Sequence, residues 1–398
     1  MRHVKLLILF GLVAAFGLFP VGGSGQGELI PIVFQSKWFP QSQFAGYWVA
    51  GGHLPGESPS DNVPLENGLN FYAQEGLDVT ILDGGSVNPS VNVAVGNADF
   101  GTDWIANMLV QRKAGLDLKH IAQIFQRPGY LFVALKSSGI ETVEDFAGKN
   151  VGVWAFGNEF PAQACFRAHG LTSDLDPTVS NPDLSATVYA FDPALVFPDQ
   201  VDVASAMIYN ELDQIRGLGF PLNELSFISV AESGCGLLED FIFATSELLS
   251  SSNWTTAAGV ESGLSGQELA ERFVRATLKG WQWAIDNQAA SVQIVLDFCG
   301  DTCQGSGETQ SPLLHQSWQM IRIAEMVQPA LLTDPVALRL LGLTQTPPAA
   351  TLGCLNIDDY NHTVSLLEDI GLISEGVGNI SQVVTSQVLD GIGIDCSD

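Results

Sequence analysis

The sequence predicts an α/β protein with two lobes. Short apolar segments of strand length alternate with amphipathic segments of helix length, which is typical of mostly parallel sheets covered by helices. The alternation is interrupted near residue 128 and then starts again, and a chain of 398 residues can bury two cores of ordinary size. We therefore expect the chain to build one lobe, continue into a second, and return to the first.

The first lobe is expected to contain the opening strands and their helices. Strands are predicted at "IPIVFQ", "LDVTILDGG", "ADFGTDW" and "KHIAQIFQ". One helix starts in "AGYWVAGG". Another, in "VNPSVNVAVG", ends at Gly96, because glycine is common just past a helix end. The chain is expected to cross to the second lobe near Pro128–Tyr130.

The second lobe is expected to contain the strands "YLFVALK", "VGVWAF", "ATVYAF", "VDVASAM" and "LSFISV". The return crossing is predicted near Val230–Gly236, after which "GLLEDFIFAT" leads into a helical region. Helices are predicted there in "SGQELAERFVRATLKGWQWAIDN", "SPLLHQSWQMIRIAEMVQPAL" and "NIDDYNHTVSLLEDIGLI". The predicted boundaries are 28–128 for the first part of lobe one, 129–236 for lobe two, and 237–398 for the return to lobe one with the C-terminal helices.

Residues 1–27 have the pattern of a signal peptide. Arg2 and Lys5 form a basic start, residues 6–19 are apolar, and Pro20 precedes a run of small residues. The apolar run is shorter than the roughly 20 residues that a membrane span needs. We expect an exported protein, periplasmic or on the outer face of the cytoplasmic membrane; retention of the leader as an anchor stays open.

The charge balance argues against nucleic acids and anionic membrane surfaces as partners. The chain has 44 acidic and 16 basic residues, for a net charge of −28. Nucleic-acid binding needs clustered Lys and Arg, and an anionic membrane surface would repel this chain. A solubility adaptation, for instance to a salty medium, is the favoured interpretation, and it predicts a monomer.

An even number of cysteines in an exported chain favours disulfides. The six are Cys165, Cys235, Cys299, Cys303, Cys354 and Cys396. The third and fourth are close enough to staple a turn, and the last two could tie down the C-terminal tail. That leaves Cys165 and Cys235 as candidate free thiols. A zinc site is disfavoured, because the histidines are scattered without ligand spacing.

Polar and aromatic side chains gather at the predicted carboxyl ends of strands and at the return crossing. Ligands of α/β sheets bind off these ends, and two lobes would place them on one cleft that a hinge can close. The candidate ligand-binding residues are Trp38, Gln43, Tyr47, Trp104, Trp154, Asn158, Glu159, Tyr209, Asn210, Glu211 and Glu239. Aromatic faces would stack on a flat ring, and amides and carboxylates would bind its edge.

Each candidate has a structural alternative. Large aromatic residues such as Trp38 and Tyr47 usually belong to the core. Asn158 and Glu159 could cap the helix that follows them, and Glu239 could be a surface charge. The interpretation as a binding site depends on the joint occurrence of the clusters.

Catalytic motifs are missing from the sequence. It contains no G-x-x-x-x-G-K-[ST], no G-x-S-x-G and no H-E-x-x-H. Cys165 and His169 are spaced i and i+4 on a predicted helix, which permits a nucleophilic pair, but a structural or disulfide cysteine is favoured.

With these clusters in view, the chain resembles the NMT1/THI5-like (SsuA/THI5) family of periplasmic binding proteins over most of its mature length. The matching stretches include "WFPQSQFAGYWVA", "EGLDVTILDGG", "VAVGNADFGTDW", "GKNVGVWAFGNEF", "VDVASAMIYNE" and "LLEDFIFA". The resemblance implies a type II periplasmic-binding-protein fold, no cofactor, and an ABC permease as membrane partner. "QFAGYWVA", "GNEF", "YNE" and "LED" are most similar to the branch that binds riboflavin, and next to binders of thiamine pyrimidine precursors.

The family also includes the fungal thiamine pyrimidine synthase, and that activity is the alternative function. The resemblance implies that such an enzyme uses a lysine bound to pyridoxal phosphate, a histidine, a cysteine-rich motif and iron. In "DFGTDWIANML" the corresponding positions hold Asp103 and Asn107, and the cysteine motif is reduced to Cys235. We therefore expect a binding protein without this enzymatic activity.

The expected ligand is a flat, neutral or weakly polar heteroaromatic metabolite such as riboflavin or a pyrimidine precursor. Phosphorylated ligands and alkanesulfonates are disfavoured, because anions need Arg, Lys or bare helix N-termini and the clusters are short of bases.

Overall fold

The computed structural model describes residues 28–57, 69–300, 303 and 311–397. The predicted signal peptide at 1–27 lies outside the described residues. Within them, the strands form two five-stranded sheets. In chain order the strands are β1 (Ile30–Gln35), β2 (Leu77–Leu82), β3 (Phe100–Asp103), β4 (Leu118–Gln123), β5 (Tyr130–Leu135), β6 (Asn150–Val153), β7 (Ser185–Val188), β8 (Val203–Met207), β9 (Leu225–Ser229) and β10 (Phe241–Thr245).

Both sheets are mixed. The first has the order β2-β1-β3-β10-β4 and the second has the order β7-β6-β8-β5-β9. Strands β5 and β10 are antiparallel to both of their neighbours, whereas the other pairs are parallel. Each of these two strands follows a crossing, so it enters its sheet from the hinge side. The prediction of mostly parallel sheets is wrong at these positions, and β10, "FIFAT", is a strand that the sequence analysis missed.

The helices pack on the faces of the two sheets. In chain order they are α1 (Ala45–Val49), α2 (Phe71–Gln74), α3 (Pro89–Ala94), α4 (Ile105–Lys113), α5 (Phe160–Ala168), α6 (Glu211–Gly217), α7 (Ser246–Ser250), α8 (Gly266–Asp286), α9 (Gln288–Cys299), α10 (Pro312–Val327), α11 (Pro335–Leu340), α12 (Ile357–Asp369), α13 (Ile380–Val383) and α14 (Gln387–Gly391). Helix α8 begins at a serine cap, since Ser265 accepts the backbone N–H of Glu268. Among the described helices, none has the length and apolar character that crossing a bilayer requires.

Two segments connect the lobes, residues 124–129 and residues 230–240. They lie side by side, because the backbone N–H groups of Ile124 and Phe125 donate to the carbonyl of Asp240 at 3.2 and 3.0 Å. The two crossings therefore form one hydrogen-bonded unit. The lobe boundaries drawn from the sequence stay a prediction about which residues move together.

The disulfides differ from the expectation at one pair. Cys165 in α5 is bonded to Cys235 in the second crossing, with their Cα atoms 4.8 Å apart. The expectation of free thiols at these two positions is therefore wrong; the fold brings together residues that are 70 positions apart. The other two pairs form as expected, Cys299 with Cys303 and Cys354 with Cys396.

Replacing both Cys165 and Cys235 with alanine is expected to lower the free energy of unfolding by about 2 to 5 kcal/mol, because a long loop in the unfolded chain loses its cross-link. Urea unfolding of the variant and the wild type measures this difference. Thiol titration of denatured, unreduced wild-type protein provides the control. Free thiol at these two positions would contradict the pairing.

Candidate functional site

A cavity of about 430 Å³ lies between the two sheets. Its walls come from the segments that follow β1, β2, β3, β6, β7 and β8, which are the strands that run parallel within each sheet. Because carboxyl ends of parallel strands share one sheet edge, both lobes direct these segments into one cleft. The volume is in the usual range for small-molecule sites.

Eight of the eleven candidate residues line this cavity. They are Trp38, Gln43, Trp104, Trp154, Asn158, Tyr209, Asn210 and Glu211. The sequence placed these residues at several strand ends, and the fold brings them together. Their contact with a ligand stays a prediction.

Tyr47 belongs to the core. Its side chain is buried, and its ring stacks on Phe34 of β1 at a centroid distance of 4.4 Å and meets Trp281 of α8 edge-on at 5.8 Å. Helix α1 turns this side chain toward the sheet, away from the cavity. The structural alternative that the sequence left open is therefore the one that the fold adopts at this position.

Glu159 and Glu239 do not line the cavity either, and backbone N–H groups donate to their carboxylates. Glu159 accepts the N–H of Gly157 at 2.8 Å. Glu239 is buried in the second crossing and accepts the N–H groups of Gly129 at 3.0 Å and Tyr130 at 3.1 Å in the first. Burial raises the pKa of Glu239 well above its ordinary range. Its carboxyl joins the two crossing segments.

The aromatic wall includes a residue that the sequence analysis missed. Phe191, after β7, lies across the cleft from Trp38, with ring centroids 4.6 Å apart. Its ring is also nearly parallel to that of Trp154, at 6.3 Å and 24°. The rule that identified the other residues could have found it, since Phe191 also follows the carboxyl end of a strand.

Two of the cavity aromatics have strained backbones. Phe156 and Phe191 both have φ of +62°, and they are the non-glycine residues with positive φ in the part of the chain that the structure describes. A large side chain in this region costs about 1 to 3 kcal/mol, and such strain is concentrated at functional sites. Phe156 is also 80% exposed, which is unusual for phenylalanine. Both features are of the kind that is concentrated at functional sites.

Asp103 organises the wall on the first lobe. Its carboxylate accepts four hydrogen bonds: 2.9 Å from the ammonium of Lys37, 2.9 Å from the hydroxyl of Ser90, 2.8 Å from the N–H of Trp104 and 2.9 Å from the amide of Asn107. The ammonium of Lys37 also lies 4.7 Å from the centre of the Trp104 ring. Lys37 lines the cavity, whereas Asp103 lies behind it.

Asp240 holds two cavity residues in place from the second crossing. It accepts the amide of Gln43 and the indole N–H of Trp104, each at 2.9 Å. Burial raises the pKa of Asp240 to about 7. The orientation of these side chains thus depends on the second crossing segment.

Helix α10 links the floor of the cavity to both lobes. The amide of Gln319 donates to Gln41 in the first lobe at 3.4 Å and to Asn210 in the second at 3.0 Å. His315, one turn earlier, contacts Asn210 at 2.9 Å and Asp213 at 2.8 Å. Polar side chains therefore cross the cleft beneath the cavity.

The family model described as "NMT1/THI5 like" matches residues 65–291, more than half of the chain. The chain belongs to the NMT1/THI5-like family. The sequence is 26% identical over 311 residues to the riboflavin-binding protein RibY of Chloroflexus aurantiacus, covering 74% of this chain and 75% of that protein. It is 23% identical over 247 residues to the 4-amino-5-hydroxymethyl-2-methylpyrimidine phosphate synthase of Legionella pneumophila, covering 62% of this chain and 69% of the relative.

Solved structures show the fold of this NMT1/THI5-like protein. The alkanesulfonate-binding protein SsuA of Xanthomonas axonopodis pv. citri, bound to MOPS, superposes with a TM-score of 0.54 at 14% identity, covering 90% of this chain and all of that one. The expected periplasmic-binding-protein fold, with two α/β lobes around a cleft, is confirmed.

The resemblance implies that a pyridoxal-dependent synthase of this NMT1/THI5-like family uses a lysine and a histidine, and the cavity can be compared with that requirement. No histidine lines the cavity in the described part of the chain, and its lysine, Lys37, is ion-paired with Asp103. Cys165 is in a disulfide, which also removes the nucleophilic pair with His169 that the spacing permitted. The His169 ring instead contacts Glu144 and the carbonyl of Ser233.

The buried carboxyl of Glu211 should make the stability of this family member depend on pH. Burial raises its pKa from 4.5 to about 7. Between these values the native protein keeps a proton that the unfolded chain has lost. The contribution of Glu211 to the free energy of unfolding is therefore complete below pH 4.5 and falls as the pH rises toward 7. The free energy of unfolding of the wild type, minus that of Glu211→Gln, should decrease across this window.

Urea unfolding at several pH values between about 4.5 and 8 measures this difference. The exposed Glu224→Gln variant in the same lobe controls for the removal of one acidic group. A difference between wild type and Glu211→Gln that grows with rising pH would contradict the effect of burial.

Proposed function

We propose that this protein is an extracytoplasmic solute-binding protein of an ABC importer that captures a flat heteroaromatic metabolite, riboflavin or a thiamine pyrimidine precursor. The observation that carries the proposal is the composition of the cavity. The rings of Trp38, Trp104, Trp154 and Phe191 are among the aromatic side chains that line it, together with side-chain amides and two carboxyls. Its position in a periplasmic-binding fold supports capture between two lobes.

The physical basis is stacking combined with hydrogen bonds at the ring edge. An aromatic pair contributes about 0.5 to 1.5 kcal/mol beyond its buried area. Gln43, Asn158 and Asn210 supply amide donors and acceptors, and Glu211 can accept from ring N–H or hydroxyl groups. Riboflavin, with a wide ring and a hydroxylated chain, matches this supply, and the similarity to a protein named riboflavin-binding supports it.

A thermal-shift series with riboflavin, thiamine and hydroxymethylpyrimidine tests the proposal. A true ligand should raise the melting temperature progressively with concentration, because it binds the native state alone. For riboflavin, quenching of flavin fluorescence should report stacking against the tryptophans. If none of the three compounds shifts the melting temperature, the ligand assignment is wrong.

The alternative function is a pyrimidine synthase, and it is supported by the similarity to the Legionella protein. It predicts that purified protein forms an imine with pyridoxal phosphate, seen as an absorbance band that the Lys37→Met variant lacks. We expect no such band, because the ammonium of Lys37 is held by Asp103. A band in the wild type that disappears in this variant would favour the enzyme over the binding protein.

A further inference from the structure

The cavity wall contains one cationic side chain among the residues that the structure describes, Lys37. Its side chain is only 11% exposed, and its ammonium points to the carboxylate of Asp103, which is fully buried. An ammonium without a partner at the wall of a closed cleft would attract a phosphate or sulfonate group, because both give strong charge-assisted hydrogen bonds. The pairing with Asp103 cancels that attraction at close range.

The carboxylate of Asp103 is fixed toward Lys37. Its other donors are the hydroxyl of Ser90, the backbone N–H of Trp104 and the amide of Asn107, which come from the start of α3, the strand end and α4. These contacts stabilise the carboxylate in this orientation. The ion pair between Lys37 and Asp103 is thus held in place by the surrounding hydrogen bonds.

The other ionisable side chains near the ligand space are acidic. Glu211 and Asp192 line the cavity, and Asp240 lies behind Gln43 and Trp104. With Lys37 neutralised, no described side chain of the wall offers a net positive charge to an anion. A ligand carrying a phosphate would lose its hydration there without gaining an unpaired cationic partner.

We propose that Asp103 is a specificity-determining residue, which neutralises Lys37 and thereby restricts the cavity to unphosphorylated heteroaromatic ligands. The inference rests on the proposed function, since it concerns the same cavity. It predicts that selectivity against phosphate is set by one carboxylate, and that removing its charge relaxes this selectivity.

Riboflavin and flavin mononucleotide are suitable probes, because they differ by a single phosphate. The wild type should bind riboflavin about tenfold or more tightly than the phosphorylated flavin, measured by flavin fluorescence at low salt. In Asp103→Asn the ratio of the two dissociation constants should fall about tenfold, because the freed ammonium of Lys37 can pair with the phosphate. The asparagine oxygen can keep the donors Trp104 and Asn107, while its amide donates to Ser90.

Two matched variants separate the local effect from net charge. Asp117→Asn changes the net charge equally, but Asp117 is 67% exposed and does not line the cavity, so the ratio should stay at the wild-type value. The double variant Lys37→Met/Asp103→Asn removes both charges and should restore the ratio. If the ratio stays low in the double variant, Lys37 is not the cause and the inference is wrong.

Three further results would overturn the inference. These are equal affinity of the wild type for both flavins, an unchanged ratio in Asp103→Asn, and an equal change in Asp117→Asn. If Asp103→Asn does not fold, Lys37→Met replaces it, and the ratio should then rise, because the wall becomes more acidic. An unchanged or lower ratio in Lys37→Met contradicts the inference.

The same measurements distinguish a wrong ligand assignment from a wrong role of Asp103. If the wild type binds neither flavin, riboflavin is wrong, and the same ratios are measured with hydroxymethylpyrimidine and its phosphate. If the wild type binds neither member of either pair, the proposed function and this inference both fall.

Discussion

Replacing Trp38 with alanine is expected to weaken ligand binding about tenfold or more, with a loss of at most about 2 kcal/mol in the free energy of unfolding. The ring of Trp38 is only partly buried, and it reaches across the cavity to Phe191 at 4.6 Å. Truncation therefore removes one face of the aromatic wall and little of the core. Ligand titration and urea unfolding of the same preparation measure the two effects separately.

Tyr47→Ala is the matched control, since it truncates an aromatic residue of the same opening segment. Tyr47 is buried between Phe34 and Trp281, so its loss should cost about 3 to 5 kcal/mol of stability through the cavity that it leaves. If Trp38→Ala destabilised the fold as strongly as Tyr47→Ala, the tryptophan would be a core residue and the assignment of the aromatic wall would be wrong.

Replacing Glu239 with alanine is expected to lower the free energy of unfolding by about 2 to 5 kcal/mol, because two buried N–H groups lose their acceptor. These groups belong to Gly129 and Tyr130 in the other crossing segment. The substitution should therefore also weaken ligand binding, since it loosens the hydrogen-bonded unit that connects the two lobes. Chemical unfolding and ligand titration measure the two consequences.

Glu239→Gln provides the control for this prediction. Burial raises the pKa of Glu239 well above its ordinary range, which favours the neutral carboxyl, and glutamine matches that form in shape and retains one acceptor oxygen. We expect a much smaller loss than for alanine. Equal losses in the two variants would indicate that a negative charge, and not an acceptor for the backbone, is needed here.

The strands of this fold were predictable where a segment of strand length is predominantly apolar and is bounded by polar residues or glycines. "IPIVFQ" and "LDVTIL" coincide with β1 and β2. Strand β10 was missed because "FIFAT" is short, follows two acids and leads directly into α7. Strand β10 pairs with β3 and β4, which lie more than a hundred residues earlier. The local sequence of a strand does not show which distant strands it will pair with.

The cavity was predictable as a position but not as a set of contacts. The ends of parallel strands converge by geometry alone, which is why Trp38, Trp104 and Trp154 share one cavity. Phe191 was missed because "ATVYAF" was predicted to be a strand throughout, whereas β7 ends at Val188. The role of Glu239 depends on a backbone that approaches from the other crossing, which no local pattern encodes.

The position of β10 between β3 and β4 in the first sheet has a consequence for the order of folding. Strand β4 pairs only with β10 among the described strands, so it has no sheet neighbour until residues 241–245 have left the ribosome. The second sheet, by contrast, is encoded without interruption between residues 130 and 229. Since local pairings form faster than distant ones, the lobe that comes second in the sequence should be the first to fold. Its sheet should be complete while the opening lobe still lacks β10.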